Sequence, residues 1–297
     1  MYDTTGYSCF NKLNKHKNII KIIDMSSSSA QYILKIINDD IKQNHIFASM
    51  YSNKLKFYNS KNCMKFSNEI LSADFYLAPS QFVKQSLIYA GAQEDNIYIV
   101  PYGVDISKFS EKEISDKKTE KIRFLFVGRL EAAKGIYYLL EAFKQLNRDD
   151  IELVIVGSMI GEISLYEPYE KYFTYEGVKL HSQMPEVYKG CDVFIFPSLW
   201  EGLSLSTIEA MASGLPVIVS QNSGTNDIIT HGKEGFIVKT MDIEDLKEKI
   251  IWGNLPGSVQ KNIHGNNMKK IYKVLWKKYL ILERCKYYNI IFYQRLN

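Results

Sequence analysis

Short apolar runs alternate with amphipathic stretches through the middle of the chain. Two such runs, 122–127 and 151–156, are apolar at nearly every position, as strands of a parallel sheet covered on both faces are. The stretch between them repeats apolar residues every three or four positions, which predicts a helix. These residues are Ile136, Leu139, Leu140, Phe143 and Leu146. The pattern therefore predicts a βαβ unit.

The same alternation continues to about residue 252 and completes a doubly wound α/β domain over 122–263. Its further strands are predicted at about 177–180, 192–196, 217–219 and 236–238. Its further helices are predicted at about 185–189, 205–213 and 242–252.

The first 105 residues also alternate strands and helices, but with only about three strands. The strands are predicted at about 19–24, 74–79 and 97–100. The helices are predicted at about 30–41, with serines 26–29 as its N-cap, and at about 45–58, 63–71 and 80–91. Residues 101–121 are polar and lack periodicity, so 106–121 is predicted to be a linker between an amino-terminal domain, 1–105, and the second domain.

The end of the chain, 264–297, is predicted to contain a basic amphipathic helix at about 266–282. Its apolar residues and its lysines fall mostly on opposite sides. Such a helix can lie on an anionic membrane surface, or it can pack by its aromatic face on its own protein. Packing on its own protein is the more ordinary cause of this pattern, and peripheral membrane contact is the alternative.

The composition is that of a globular protein. Of the 297 residues, 46% are hydrophobic and 24% are charged, and no run approaches the roughly 18 apolar residues of a membrane span. A net charge of +4 is too modest to indicate a nucleic-acid partner. The start has neither a basic lead nor an apolar core, so we expect a cytoplasmic protein. Reduced thiols without metal-ligand spacing are expected at Cys9, Cys63, Cys191 and Cys285.

Arg129 and Lys134 follow the strand predicted at 122–127 and flank the start of the next helix. A lysine in the first turn of a helix opposes the helix dipole, at a cost of about 0.3–1 kcal/mol, so this placement favours a bound anion such as phosphate. The alternative is an ordinary surface pair in which Glu131 neutralises Lys134. Spacing alone leaves both interpretations open, because the segment lacks the further glycines of a dinucleotide-binding fingerprint.

Glu201 and Glu209 stand eight positions apart at a predicted strand-turn-helix junction, where open α/β sheets bind ligands. The amides of Leu203, Ser204 and Leu205 are expected at the N-terminus of that helix, where they can hold an anion. The two carboxylates can then accept hydrogen bonds from sugar hydroxyls. As a bare pair of glutamates the pattern is weak, and two surface carboxylates on an amphipathic helix are the alternative.

Four motifs occur in a fixed order along the chain. They are Pro-Tyr-Gly-Val-Asp at 101–105, Phe-Val-Gly-Arg-Leu at 126–130 with Lys-Gly at 134–135, Phe-Pro-Ser-Leu-Trp-Glu-Gly at 196–202, and Glu-Ala-Met-Ala-Ser-Gly-Leu-Pro-Val-Ile at 209–218. In this order and spacing they resemble the retaining, nucleotide-sugar-dependent glycosyltransferases of family 4, also called group 1. The resemblance covers about residues 74–250. It implies the glycosyltransferase B architecture of two facing Rossmann-like domains, with a terminal helix that crosses back onto the amino-terminal domain.

The resemblance also implies a role for each residue at the junction. Arg129 and Lys134 match the basic pair that holds the donor diphosphate. Glu201 matches the residue that lies against the transferred sugar, and with the basic pair it completes the implied catalytic set. Glu209 matches the residue that binds the donor ribose. The loop whose amides face the diphosphate and sugar matches Gly202, Leu203, Ser204 and Leu205; family members often carry Gly or Pro in place of the serine, so its side chain is given no role.

The implied mechanism needs neither a metal ion nor a cofactor, since the nucleoside diphosphate sugar is a substrate. The acceptor hydroxyl attacks on the face from which the diphosphate leaves, and the departing phosphate takes its proton, so no side chain serves as a nucleophile. The implied acceptor is a glycan or a lipid-linked molecule of cell-surface polysaccharide synthesis, at the inner face of the membrane. The five histidines, His181 among them, are expected to be ordinary core or surface residues.

The amino-terminal domain departs from the family pattern. The family opens this domain with a strand and a Gly-rich loop near the donor phosphates, whereas the first glycines here, Gly6 and Gly91, follow no apolar strand. The domain is therefore expected to lack its first part. An active hexosyltransferase and a non-catalytic or partner-completed remnant that binds nucleotide sugar are both compatible with this. A phosphorylase or epimerase of the same architecture is less favoured by the donor motifs.

Overall fold

The structure is a computed structural model that describes residues 10, 12–13, 19–105, 108–109, 121–253 and 290–294. Within these ranges the strands form two parallel sheets, one of four strands and one of six. The smaller sheet contains β1 (Ile20–Asp24), β2 (Phe75–Ala78), β3 (Ile97–Ile99) and β10 (Ile290–Gln294). The larger contains β4 (Ile122–Val127), β5 (Ile151–Val156), β6 (Thr174–Gly177), β7 (Val193–Phe196), β8 (Val217–Ser220) and β9 (Gly235–Val238).

Helices connect and cover these strands in the described ranges. The α-helices are α1 (Ala30–Gln43), α2 (Ser52–Tyr58), α3 (Lys61–Leu71), α4 (Gln81–Tyr89), α5 (Ile136–Leu146), α6 (Met184–Lys189), α7 (Leu205–Ala212) and α8 (Ile243–Gly253). Short 3-10 helices lie at Ala48–Tyr51, Glu94–Asn96, Ala132–Lys134, Ile163–Leu165, Glu167–Tyr172 and His181–Gln183. Strands and helices alternate along most of the described chain, as the hydrophobic pattern predicts.

The larger sheet has the strand order β6-β5-β4-β7-β8-β9. The chain therefore runs outward from β4 to β6 on one side, returns to the centre, and runs outward from β7 to β9 on the other side. The central neighbours β4 and β7 are parallel, with Phe124 opposite Val193 and Leu125 opposite Phe194. In open parallel sheets, ligands bind in the crevice at the carboxyl ends of two such strands, where the direction of winding switches.

The smaller sheet has the order β10-β1-β2-β3, again with parallel pairs. Its edge strand β10 comes from the end of the chain and pairs with β1 from Ile20 opposite Ile290 to Asp24 opposite Gln294. A segment of the carboxyl terminus therefore completes the amino-terminal sheet. The helix predicted at 266–282 lies outside the described residues, as does most of the linker predicted at 106–121.

Helix α1 and the 3-10 helix Ala48–Tyr51 pack directly on the carboxy-terminal domain. Ile33, Ile37 and Phe47 belong to the same buried apolar cluster as Phe124 and Leu139. A second cluster lies within the amino-terminal sheet and its own helices. Because burial of apolar surface drives association, the first cluster fixes the amino-terminal helices against the second domain.

A buried carboxylate lies in this contact. Asp40 of α1 accepts hydrogen bonds from Tyr51 Oη and from Tyr138 Oη of α5, each at 2.5 Å. Burial raises the pKa of Asp40, and the two hydrogen bonds oppose that shift. Burial also raises the pKa of Tyr51 and of Tyr138, so both phenols keep their protons and act as donors.

The predicted α/β class is confirmed, with a doubly wound carboxy-terminal sheet and a smaller amino-terminal one. Two strands differ from the prediction. β6 occupies Thr174–Gly177 rather than 177–180, because it is an edge strand whose residues are exposed or half-exposed, so that no apolar run marks it. β10 lies within 264–297, where only a helix was predicted, although Ile290-Ile-Phe-Tyr is a run typical of a strand.

The serine-rich start of α1 also differs from the prediction. Ser29 stands at the N-cap position of the helix, but its side chain makes no capping hydrogen bond. Its Oγ donates instead to the carbonyl oxygen of Ser86 at 2.6 Å, and its N–H donates to Ser86 Oγ at 3.0 Å. The side chain of Ser29 therefore joins α1 to α4 through Ser86 and does not cap α1.

No helix in the described part of the chain is both long and apolar enough to cross a membrane. Cys63 and Cys191 are buried, whereas Cys9 and Cys285 lie outside the described residues. The reduced state of the four thiols stays a prediction.

Candidate active site

The loops after β4 and β7 carry three of the predicted site residues. Arg129 and Lys134 lie in the loop that follows β4, and Glu201 lies in the loop that follows β7. The two loops are bonded to each other, since the N–H of Leu199 donates to the carbonyl oxygen of Ala133 at 2.9 Å. Because β4 and β7 are the central strands, these side chains lie at the switch point of the sheet.

Lys134 Nζ forms an ion pair with Glu201 Oε2 across these loops. The two side chains are only 17% and 23% exposed, so the pair is less screened by water than a surface pair. The two loops can approach each other this closely because residue 135 is a glycine. A Cβ there would lie 1.9 Å from the carbonyl oxygen of Pro197, and the backbone φ is +70°, which favours glycine. The alternative in which Glu131 neutralises Lys134 is wrong, since the partner of Lys134 is Glu201.

Glu131 binds two other cations. Its Oε2 accepts a hydrogen bond from Lys54 Nζ at 2.9 Å. Its Oε1 lies 2.9 Å from Arg129 Nη2, but within the described residues this oxygen has no partner in hydrogen-bond geometry, so the Arg129 contact is an ion pair only. The Glu131 side chain is 8% exposed, whereas that of Arg129 is 61% exposed. The Glu131 carboxylate therefore has a hydrogen-bonded cation from the amino-terminal domain, Lys54, and an exposed cation without a hydrogen bond from its own loop, Arg129.

Trp200, which precedes Glu201, contacts the same part of the amino-terminal domain. Its ring stacks on Tyr51 with 6.2 Å between centroids, and Lys54 Nζ lies 5.1 Å from its centroid. A cation within about 6 Å of an indole ring is attracted to it. The segment 48–58 therefore contacts the loop after β4 through Glu131 and the loop after β7 through Trp200.

Gly202 lies where the amino-terminal domain approaches most closely. Its carbonyl oxygen accepts a hydrogen bond from Ser80 Oγ at 2.7 Å. A Cβ at this position would lie 1.9 Å from the carbonyl oxygen of Ser26, so only glycine fits against the loop after β1. One side of the loop predicted to face the diphosphate and sugar is thus covered by the amino-terminal domain.

Ser204 acts as the N-cap of α7. Its Oγ accepts hydrogen bonds from the N–H of Thr207 at 3.2 Å and from Thr207 Oγ1 at 2.7 Å. Contrary to the prediction, the N–H of Ser204 is engaged, because it donates to the carbonyl oxygen of Ser223 at 3.3 Å. Of the three amides predicted at this helix N-terminus, those of Leu203 and Leu205 make no hydrogen bond in the described part of the chain, so both remain for an anion.

Glu209 lies on α7 and has its own partners. Its Oε2 accepts a hydrogen bond from Tyr188 Oη at 2.8 Å, and its Oε1 lies 3.9 Å from His181 Nδ1. Burial raises the pKa of Glu209, while the Tyr188 hydrogen bond and the nearby His181 oppose that shift. Phe109 packs edge-on against the rings of His181 and Tyr188. The result is an oriented carboxylate beside a histidine that is 60% exposed.

Arg129, Lys134 and Glu201 thus lie in two loops that are hydrogen-bonded to each other. Glu209 lies in a separate cluster with Tyr188. His181, expected to be an ordinary core or surface residue, lies in this second cluster. No group of three His, Cys, Asp or Glu side chains in the described ranges is arranged to hold a metal ion. Metal independence stays a prediction, as do the roles of the site residues.

Residues 107–254 match the family model described as glycosyl transferases group 1. This segment is therefore similar to a group 1 glycosyltransferase domain, and we call it the group 1 domain. It contains both loops of the switch point and helix α7, so every predicted site residue lies within the group 1 domain. Lys54, in contrast, comes from outside it.

A curated relative of the chain is the UDP-Gal:alpha-D-GlcNAc-diphosphoundecaprenol alpha-1,3-galactosyltransferase of Escherichia coli. The two are 32% identical over 174 residues, which cover 52% of this chain and 44% of the relative. The chain spans about half the length of the curated relatives it matches. The similarity therefore covers only part of each protein.

Solved structures extend the likeness to nearly the whole chain. The sucrose-phosphate synthase of Thermosynechococcus elongatus gives a TM-score of 0.72 at 19% identity and covers 95% of this chain and 70% of its own. Anabaena HepE in complex with UDP and glucose gives 0.64 at 18% identity, with 78% of this chain and 69% of its own covered. At these identities the likeness shows the fold alone, and it confirms the predicted glycosyltransferase B architecture.

Proposed function

We propose that this chain transfers a hexose from a nucleoside diphosphate sugar to a glycan or lipid-linked acceptor with retention of the anomeric configuration. The observation that carries the proposal is the placement of Arg129, Lys134 and Glu201 in two loops that are bonded to each other at the switch point of the group 1 domain. Two cations and a carboxylate in partly buried loops supply the charges that a leaving diphosphate and a transferred sugar require.

In this proposal the donor diphosphate binds against the loops after β4 and β7. Arg129 and Lys134 turn from their carboxylate partners to the phosphate oxygens and stabilise the charge that develops on the leaving group, without a metal ion. The amides of Gly202, Leu203 and Leu205 face the diphosphate and sugar. Glu201 contacts the transferred sugar, and Glu209 binds the ribose hydroxyls.

The transfer step needs no nucleophile from the protein. An acceptor hydroxyl oxygen forms a bond to the anomeric carbon on the face from which the phosphate oxygen leaves, and the hydroxyl proton passes to that phosphate oxygen. The bond between the anomeric carbon and the phosphate oxygen breaks, so the products are the glycosylated acceptor and a nucleoside diphosphate. Oriented charge in a site of reduced solvent access is what the protein contributes.

The acceptor is proposed to belong to cell-surface polysaccharide synthesis at the cytoplasmic face of the membrane. The name of the Escherichia coli relative supports this, because that protein acts on a sugar linked through diphosphate to undecaprenol. A peripheral contact with the membrane would bring a soluble donor and a lipid-linked acceptor together.

The second candidate function is that of a non-catalytic or partner-completed protein that binds nucleotide sugar. It is favoured by the amino-terminal sheet, which in the described residues has four strands, one of them supplied by Ile290–Gln294. The group 1 domain, by comparison, has six strands and both paired loops. In this alternative the donor site is kept and the acceptor side is supplied by another polypeptide.

Incubation with UDP-, GDP- and ADP-hexoses tests the first candidate against the second. An active enzyme releases nucleoside diphosphate, and with a lipid-linked or glycan acceptor it gives a product of the same anomeric configuration as the donor, which NMR reports. Donor binding without release or transfer would support the second candidate. Inversion at the anomeric carbon would contradict the retaining mechanism.

A further inference from the structure

Glu131 is held by one cation from each domain of the molecule. Lys54 of α2 donates a hydrogen bond to Glu131 Oε2, and Arg129 forms an ion pair with Oε1, both at 2.9 Å. The two cations differ in freedom, since the Lys54 side chain is 28% exposed and that of Arg129 is 61% exposed. Arg129 is therefore the cation that can leave, and Lys54 is the one that is fixed.

The charged side chains that meet around the two loops nearly balance one another in this structure, with a net charge of +1. Lys54, Arg129 and Lys134 supply three positive charges, and Glu131 and Glu201 supply two negative ones. A diphosphate brings at least two further negative charges, so it competes with the carboxylates for the cations already present. Binding through Arg129 and Lys134 therefore requires both cations to move away from their carboxylate partners.

The two carboxylates tolerate this exchange differently. Glu201 is 23% exposed, and water can hydrate it when Lys134 turns to phosphate. Glu131 is 8% exposed, and a buried carboxylate that loses its cation is strongly unfavourable. Its hydrogen bond with Lys54 removes that obstacle, because the carboxylate keeps one charged partner after Arg129 has left.

Trp200 and Tyr51 hold Lys54 in this position. The Lys54 ammonium lies 5.1 Å from the centroid of the Trp200 ring, and that ring stacks on Tyr51. Lys54 thus has a carboxylate on one side and an indole on the other. Both contacts are made to the carboxy-terminal domain, so the position of Lys54 depends on the packing of the two domains.

We propose that Lys54 is a positioning residue for the donor site, which keeps Glu131 paired while Arg129 turns to the donor diphosphate. Lys54 acts through Glu131 and does not itself touch the nucleotide. The proposal rests on the proposed function, since it assumes that the loops after β4 and β7 bind a nucleoside diphosphate. It makes diphosphate binding by the group 1 domain depend on a residue of the amino-terminal domain.

A double-mutant cycle between Lys54 and Glu131 tests the proposal by calorimetric titration of the full chain with UDP and with uridine. Lys54→Met is expected to weaken UDP binding by about tenfold, and to leave uridine binding unchanged, because only the diphosphate needs Arg129. Glu131→Gln is expected to tighten UDP binding, since Arg129 is no longer held. In the Glu131→Gln background, Lys54→Met is expected to cause no further loss.

Two variants serve as controls. Lys56→Met removes the same charge from the same helix at an exposed position and is expected to leave UDP binding near the wild-type value. Lys54→Arg keeps a cation that can donate to Glu131 and is expected to retain most of the UDP affinity. If Lys54→Met does not fold, Glu131→Gln alone decides, since weaker UDP binding by that variant contradicts the account.

The outcomes separate this inference from the proposed function. If the wild-type chain binds UDP, and Lys54→Met binds it equally well or loses the same factor in the Glu131→Gln background, the role of Lys54 is overturned and the donor site stands. If the wild-type chain binds none of UDP, GDP and ADP, the proposed function fails and this inference fails with it. Should GDP or ADP be the nucleotide that binds, it replaces UDP, with its own nucleoside in place of uridine.

Discussion

Two buried carboxylates, Asp40 and Glu131, each bind a side chain of the other domain, and the kinds of side chain that surround them differ. Asp40 is buried between neutral groups, the phenols of Tyr51 and Tyr138. Glu131 lies between cations, Lys54 and Arg129, at the edge of the switch point. The first contact has no charge that a ligand could exchange, whereas the second has a mobile arginine. Asp40 therefore serves to hold the two domains together, whereas Glu131 controls whether Arg129 is available to the donor diphosphate.

The largest expected effect comes from removing the neutral contact. Asp40→Ala leaves two buried phenol hydroxyls without their acceptor, and each such loss costs roughly 1–3 kcal/mol. We expect the free energy of unfolding to fall by about 2–5 kcal/mol in urea denaturation monitored by far-UV circular dichroism.

The adjacent residue provides the matched control for this variant. Asp39 is 40% exposed and pairs only with the surface lysines Lys35 and Lys42 in the described contacts. Asp39→Ala is expected to change stability by no more than about 1 kcal/mol. Equal losses for Asp39→Ala and Asp40→Ala would remove the distinction that the comparison draws.

The elements of the fold could largely be predicted from the sequence, because burial imposes a period on apolar residues. α5 and the strands β4 and β5 are fully specified in this way. β6 was misplaced, at 177–180 instead of Thr174–Gly177, since an exposed edge strand has no apolar period that marks its position. β10 was missed for a different reason, because only the helix at 266–282 was predicted in this part of the chain, although Ile290-Ile-Phe-Tyr is a run typical of a strand.

The second effect concerns the loop carboxylate that pairs with Lys134. Glu201→Gln removes the negative charge beside the transferred sugar and leaves Lys134 without its partner. We expect turnover to fall by about 100-fold in a donor hydrolysis or transfer assay, as for the loss of one stabilising group in a preorganised site. The midpoint of thermal unfolding should change little, because both side chains retain some contact with water. A large loss of stability with unchanged turnover would assign Glu201 to the structural class of Asp40.

The third effect is the pH dependence of the neutral contact. Because burial raises the pKa of Asp40 above its ordinary value of 3.8, the folded state binds the proton more tightly than the unfolded state. Between these two pKa values the contribution of Asp40 to stability falls as pH rises. Asp40→Asn lacks this dependence, so the melting temperature of the wild type relative to Asp40→Asn should be highest near pH 4 and should decrease toward pH 7. A difference in melting temperature that is constant or increases with pH would show that folding does not raise the pKa of Asp40.

The smallest expected effect is on stability at Glu131. Both cations around it are partly exposed, so neither is left buried and unpaired when the carboxylate becomes an amide. Glu131→Gln should change the free energy of unfolding by about 1 kcal/mol or less in the same urea experiment. A loss as large as that of Asp40→Ala would mean that Glu131 also serves chiefly to join the domains.

The candidate site was less accessible to sequence reasoning than the fold. Arg129, Lys134, Glu201 and Glu209 could be named because they stand in motifs. Their partners could not, since Glu201 is 67 positions from Lys134 and Lys54 is 77 positions from Glu131. Such pairs follow from strand order and from domain packing, and neither leaves a local pattern in the chain. Tyr188 was missed for the same reason, as its hydroxyl reaches Glu209 from another helix.

The central claim, a nucleoside diphosphate site in the group 1 domain, is tested most directly by thermal unfolding with UDP, GDP and ADP. We predict that at least one of them raises the melting temperature of the wild type and that Glu209→Ala abolishes the shift. Glu186→Ala, at a glutamate that is 80% exposed on α6, should keep it. An unchanged melting temperature with all three nucleotides, or an undiminished shift in Glu209→Ala, would contradict the account.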